Sequence, residues 1–201
     1  MPRKKSYERQ ALESRALGVF AARGYQGAST ERLVEALGVN RNSVYAEFGS
    51  KEGLFAATLV HYEREVVDRL FGPLESHGAD LAQIEGFFRN LGVSAEGSVG
   101  LGCLMCNTAA ELGGANPGLQ PFIERHFARM QRAFLNALRG AMGRRQVSRA
   151  LDAAAEARFL AASTVGICLM VRAGLAVEMS REAIDGALSH LEALRGTGPA
   201  N

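Results

Sequence analysis

Apolar residues recur at helical spacing along nearly the whole chain, and no run alternates apolar with polar residues between hairpin turns. Leu12, Ala16, Val19 and Phe20 fall at i, i+4, i+7 and i+8, the stripe of a first helix that Gly24 can end in a left-handed cap. Ser29 has the side chain of an N-cap, with Glu31 in the first turn where the helix dipole favours negative charge. Leu33, Val34 and Leu37 give that second helix its buried side, and Gly38 ends it. Asn40 opens a third helix with Val44, Tyr45 and Phe48 as its apolar members, and Gly49-Ser50 closes it. Ser50 caps a fourth helix, striped by Phe55, Leu59, Tyr62 and Val66 and expected to run to about Leu70, where Gly72-Pro73 should stop it.

Later segments repeat the pattern. Asp80–Val93 carries Leu81, Ile84, Phe87, Phe88 and Leu91; a glycine-rich break then leads into Leu101–Leu112. Asn116 reads as a cap, with Pro117 at the first position of a long helix reaching about Met142. Two more helices are expected at about Leu151–Ala176 and Arg181–Leu194. The chain therefore reads as all-α, with about nine helices: a three-helix head over residues 1–52 and a larger helical body over 53–201.

With 201 residues, 47% apolar and 22% charged, the chain has the make-up of a globular protein of one or two domains. The longest stretch free of charge is Gly97–Ala110, short of the roughly 20 apolar residues that cross a bilayer, so no membrane span is expected. Glu8, Arg9 and Gln10 stand where a signal peptide would be apolar, and three cysteines make no disulfide framework; both point to the cytoplasm. The net charge of +2 is unevenly spread. Residues 1–51 hold nine Lys or Arg against five acids, including all three lysines, which favours an anionic partner for that quarter.

Residues 29–48 have the layout of a helix-turn-helix. Gly38 permits the positive φ of the turn, Val39 plugs the angle between the helices, and Asn40–Phe48 is polar on one side and apolar on the other. Small or hydrogen-bonding residues near the start of such a helix can approach base edges in the major groove. Phe20-Ala-Ala-Arg-Gly-Tyr25, Ser29-Thr-Glu-Arg-Leu33 and Leu37-Gly-Val-Asn-Arg-Asn-Ser-Val-Tyr45-Ala-Glu-Phe-Gly-Ser-Lys-Glu-Gly-Leu-Phe55 together resemble the signature of the tetracycline-repressor (TetR) family. The stretch Gly102-Cys-Leu-Met-Cys-Asn-Thr-Ala-Ala-Glu111 resembles the body of one of its subgroups. The resemblance implies an all-helical homodimeric transcriptional regulator, most often a repressor. It would bind an inverted-repeat operator in double-stranded DNA through its head and a small-molecule effector through its body.

Carried over position by position, the resemblance puts Thr30, Tyr45 and Lys51 at phosphates and Arg41, Asn42, Ser43 and Ala46 at bases. Arg41 suits guanine, Asn42 adenine, and the Ala46 methyl a thymine methyl. Glu47 departs from the family pattern; it either meets an Arg or Lys within the head or accepts from a cytosine. Tyr45 and Phe48 also fit plain core positions, Thr30 a plain cap, and Arg3, Lys4 and Lys5 either a solvated tail or a minor-groove arm.

Cys103-Leu-Met-Cys106 has three readings: two small side chains on a buried helix face, a thiol switch, or half a zinc site. The last lacks a second pair, and the four histidines are scattered, so no metal and no cofactor is expected. A thiol-based, redox-responsive regulator using Cys103 and Cys106 is the alternative to one released by a hydrophobic ligand. An effector pocket is expected between the fourth helix and the long one, drawing on Phe87, Phe88, Leu91, Met105, Asn107, His126, Phe127, Met130 and Met170. His126 would either orient a polar group there or be a satisfied core histidine. Small residues of Leu151–Ala176 permit close helix approach, and by resemblance the last two helices form a four-helix dimer bundle. An enzyme would need an acid/base pair, nucleophile elbow or phosphate loop, none of which the sequence displays. A protein-binding adaptor would leave the turn and the basic head unexplained.

Overall fold

The computed structural model describes residues 7–97 and 101–195, without the side chains of 93–97. The tail arginine and lysines at 3–5 lie outside it. Nine helices and no strand occur among the described residues. They are α1 (Arg9–Gly27), α2 (Thr30–Leu37), α3 (Arg41–Phe48), α4 (Lys51–Glu75), α5 (Leu81–Gly97), α6 (Leu104–Leu112), α7 (Gln120–Gly143), α8 (Ala153–Arg172) and α9 (Val177–Arg195).

Local chemistry sets the early boundaries. Gly24 takes φ +71° and breaks the helical path of α1, so Tyr25–Gly27 form a separate closing turn. Ser29, Asn40 and Ser50 each accept a backbone N–H three residues on and so cap α2, α3 and α4. α1 packs on α4 through Phe20 and Phe55, edge to face at 4.6 Å, with Tyr25 5.0 Å from Phe55. In the body α7 lies along α8, and α9 covers α5 and α8. Phe87, Phe88 and Phe134 join α5 to α7, Phe88 and Phe134 stacking at 6.0 Å.

Several expected boundaries move. Gly72-Pro73 does not stop α4, which continues to Glu75. Proline removes only one helical hydrogen bond so near the end, and tertiary bonds hold the last turn. The Asn136 amide donates to the carbonyls of Leu74 and Ser76, and Phe71 and Leu74 are buried. Within α4 the residues Glu63–Val67 form a π-helical turn. Asn116 caps a turn, accepting from the N–H of Gly118 and Leu119, and regular helix begins only at Gln120. Asp152 caps α8 by accepting from Ala154 and Ala155, and α9 begins at Val177, earlier than expected. α8 is also long and apolar enough, by length and composition, to cross a membrane, with a mean hydropathy of 1.5. Its residues Ala157, Leu160, Ala161, Thr164, Ile167 and Cys168 are buried inside the protein.

Candidate nucleic-acid interface and cavity

The turn between α2 and α3 rests on Gly38 at φ +66°, whose N–H reaches the carbonyls of Val34 and Glu35. Val39 is half-buried against the core, and Val44 and Phe48 anchor α3 from below. That leaves Arg41, Asn42 and Ala46 exposed, with Ser43 and Tyr45 half-buried beside them. The Tyr45 hydroxyl accepts from Arg41 at 3.4 Å, and the guanidinium lies 5.3 Å from the ring centre. A hydrogen bond donated by the Thr30 hydroxyl, and then the one from Arg41, hold the Tyr45 phenol below its usual range. Thr30, Tyr45 and Arg41 thus form one polar cluster spanning α2 and α3. Lys51, at the start of α4, sets its ammonium 4.7 Å over the Tyr25 ring. Glu47 meets Arg9, which donates to both its carboxylate (3.2 Å) and its carbonyl (3.4 Å); of the two alternatives, the structure displays the partner within the head.

Two side chains of the body hold the end of α1. Glu111 on α6 accepts from the N–H of Tyr25 (2.9 Å) and Gln26 (2.7 Å), the amides freed where Gly24 breaks the helix. Arg172, at the end of α8, donates to the Ala21 carbonyl at 2.8 Å. Both halves of the broken helix end are therefore tied to the body, one by its donors and one by its acceptors.

A cavity of about 470 Å³ opens between these elements. α4 contributes Tyr62, Val66, Val67, Leu70 and Phe71; α5 contributes Phe87 and Leu91; α7 contributes His126 and Met130. α8 adds Thr164, Cys168 and Val171, and the loop before α6 closes one side with Leu101, Gly102 and Cys103. The lining is apolar with a few polar atoms and no Asp, Glu, Lys or Arg side chain, and its size suits a drug-sized organic molecule. Of the nine residues expected in a pocket, Phe87, Leu91, His126 and Met130 line it. Phe88 does not, because it faces the other side of α5 and stacks on Phe134. Met105 is fully buried away from it, and Asn107 spends its amide on the Leu101 carbonyl at 2.6 Å. Phe127 packs edge-on against His126, and Met170 lies between lining residues of α8 without joining them.

The wall that sequence reasoning missed belongs to α1: Ser14, Leu17, Gly18 and Ala21. Those positions form a second face beside the Leu12–Ala16–Phe20 stripe, made largely of small residues. That face was visible in the sequence, but its opposite wall was not.

At one end of the cavity the cysteines gather. Cys103 lies 3.6 Å from the Tyr62 hydroxyl and 3.9 Å from Nε2 of His126. Hydrogen bonds with Cys106 and Cys168, and then His126, hold the Cys103 thiol well below the ordinary thiol range against the effect of burial. Its partners go the other way: the hydrogen bond to Cys103 pushes both Cys106 and Cys168 up. Burial, and then the Cys103 charge, push the Tyr62 phenol up as well.

Comparison with known proteins agrees with this arrangement. Residues 14–58 match the family model for bacterial regulatory proteins of the tetR family, and residues 81–188 match a tetracyclin repressor-like C-terminal domain. The HTH-type transcriptional regulator YezE of Bacillus subtilis is 27% identical over 195 residues, 96% of this chain and all of the relative. The HTH-type transcriptional repressor ComR of Escherichia coli is 28% identical over 184 residues, 88% of this chain and 85% of the relative. Among solved structures, a cysteine mutant of the TetR-family regulator CifR in complex with 26-base-pair operator DNA has a TM-score of 0.81 at 24% identity, covering 93% of this chain and 98% of that one. Reduced Escherichia coli NemR has a TM-score of 0.76 at 20% identity, covering 92% and 96%. With both its turn-bearing head and its helical body matched, this chain belongs to the TetR family of DNA-binding transcriptional regulators.

Proposed function

We propose that the chain is a cytoplasmic homodimeric repressor that leaves an inverted-repeat operator when a small apolar effector enters the cavity. The observation that carries this reading is the shared wall: α1, the first helix of the head, lines the cavity over Ser14, Leu17, Gly18 and Ala21. In this reading residues 1–52 act as the DNA-binding unit and 53–201 as the effector and dimer unit. Thr30, Tyr45 and Lys51 hold phosphates, while Arg41, Asn42, Ser43 and Ala46 face bases. Arg41 must first leave the Tyr45 ring to reach a guanine. Phe159, Leu169 and Met179 expose apolar surface on α8 and α9, which supports those helices as the dimer seam. Two-fold symmetry would then present two recognition helices to one side of the duplex.

Release follows from linkage. An effector lowers operator affinity only by as much as it prefers a conformation whose heads are wrongly spaced. Tenfold release needs about 1.4 kcal/mol of such preference and a hundredfold about 2.7 kcal/mol. α4 joins head to body, and the Glu111 and Arg172 bonds to α1 give the body a second hold on the head. The test begins with selection of bound fragments from random DNA, followed by binding measurements at two salt concentrations and light scattering for the dimer. Tyr45→Phe and Lys51→Ala are expected to weaken operator and random DNA alike, and Lys51→Ala, which removes a charge, also to give a smaller salt slope. Arg41→Ala should instead relax base preference, at about 1–3 kcal/mol. A monomer indifferent to duplex DNA in dilute buffer would overturn the reading; an equal effect of Arg41→Ala on both DNAs would overturn the base-reading role.

A second reading, regulation by thiol oxidation, draws support from the approach of the Cys103 and Cys106 sulfurs to within 4.8 Å of one another. Peroxide would take two electrons from Cys103 and Cys106 as their disulfide forms and leave as water. Cys103→Ser and Cys106→Ser are each expected to abolish peroxide-induced release from DNA; unchanged release in both removes this reading.

A further inference from the structure

All three cysteines of the chain meet in one place. Cys103 stands at the N-cap of α6, Cys106 follows one turn later on the same face, and Cys168 comes from α8. His126 reaches them from α7, and its Nε2, the Cys103 sulfur and the Cys106 sulfur all lie within 4.8 Å of one another. The sequence separates these groups by up to 65 positions, so spacing argued against a metal site: it showed one Cys-x-x-Cys and no second half. Folding supplies that half from His126 and Cys168.

The histidine carries an independent observation. It is 1% exposed, its ring is set by Phe71 at 5.5 Å and Phe127 at 5.6 Å, and its Nδ1 has no hydrogen-bond partner in the structure. The unpaired Nδ1 faces away from the thiols; the ring packing instead aims Nε2 at the Cys103 sulfur, 3.9 Å away, as the nitrogen free to ligate.

We propose that Cys103, Cys106, Cys168 and His126 form a binding site for a single thiophilic d10 cation, copper(I) or zinc(II). Sulfur-rich donors with one imidazole select such ions, and the absence of any carboxylate from the cavity lining disfavours magnesium and calcium. Around a tetrahedral ion with bonds of about 2.0–2.3 Å, neighbouring ligand atoms stand about 3.4–3.8 Å apart. The spread among Cys103, Cys106 and His126 therefore closes by about 1 Å, within reach of side-chain rotation, and Cys168 comes in from α8 as the fourth ligand. Cys103, Cys168 and His126 line the cavity, which gives the ion a way in, and each coordinating thiol gives its proton to the buffer.

The site stands or falls without reference to DNA, so its failure leaves operator binding untouched. The full chain, reduced, freed of metal and shown to carry three free thiols, is titrated anaerobically in two arms: copper(I) against bathocuproine disulfonate, and zinc(II) against pyridylazoresorcinol. At least one arm should withdraw one cation per chain from the competitor. Cys103→Ser should lower that affinity at least tenfold, while His77→Ala, on an exposed and distant histidine, leaves it unchanged. X-ray absorption at the metal edge of the wild-type protein should report sulfur with nitrogen in the first shell, a reading that needs no variant to fold. Zinc(II) retention supports the four-ligand set, and copper(I) retention alone a three-coordinate one. No withdrawal in either arm, unchanged affinity in Cys103→Ser, or an oxygen-only shell overturns the site.

Discussion

Glu111 and Gly24 act as one unit although 87 positions separate them. A Cβ at position 24 would stand 2.5 Å from the Glu111 carboxylate, and φ +71° strains any side chain there. Gly24→Ala is therefore expected to destabilise the fold by about 1–2 kcal/mol. Glu111→Ala, which leaves the Tyr25 and Gln26 amides without their carboxylate, should cost about 1–3 kcal/mol. Urea denaturation of both variants and their combination checks the coupling: the double variant should lose less than the sum, because without the carboxylate a methyl at 24 has room. Strict additivity would mean that the two residues act separately. Gly24 was legible from the sequence as a helix stop, since a left-handed residue is a local matter. Its partner was not, because nothing local to Glu111 tells which backbone its carboxylate meets.

The same division holds for whole elements. The Ser29, Asn40 and Ser50 caps were readable because a cap is made within three residues of itself, whereas the path of α4 past Pro73 depends on α7. Arg129 on α7 bridges both sides of the π-helical turn, donating to Glu63 (3.3 Å), Asp68 (2.6 Å) and Glu75 (2.7 and 2.8 Å). Hydrogen bonds to Glu75, with the added bond to Asp68, raise its guanidinium above the ordinary range. Arg129→Ala leaves three carboxylates facing one another, and thermal denaturation should show a loss of about 1–2 kcal/mol after allowance for solvent screening. That loss should shrink as salt rises. Arg129→Lys, lacking the planar fork that grips Glu75 twice, should recover only part of it. Helix existence and core stripes could thus be read from spacing, while helix continuation required knowing the neighbour.

Across the whole molecule, the cavity is where sequence reading fell furthest short. Phe87 and Phe88 are adjacent and equally apolar, yet one lines the cavity and the other fills the core, a choice made by how α5 rotates against α7. Gly18 offers the sharpest test. It lies mid-helix in α1 on the cavity wall, and a Cβ there would meet nothing within 4 Å. Gly18→Ala should stabilise the protein by about 0.5–1 kcal/mol, the ordinary gain for replacing glycine inside a helix. Gly18→Phe should fill the cavity, and anilinonaphthalene sulfonate fluorescence on the folded protein should fall. Undiminished dye binding in a folded Gly18→Phe protein would place the dye elsewhere. Because part of the chamber is built from the head's own first helix, the boundary at residue 52 is not a clean seam for engineering. A chimera that borrows this head would inherit four foreign residues in its chamber, and with them an altered taste for small molecules that no change to its own body had introduced.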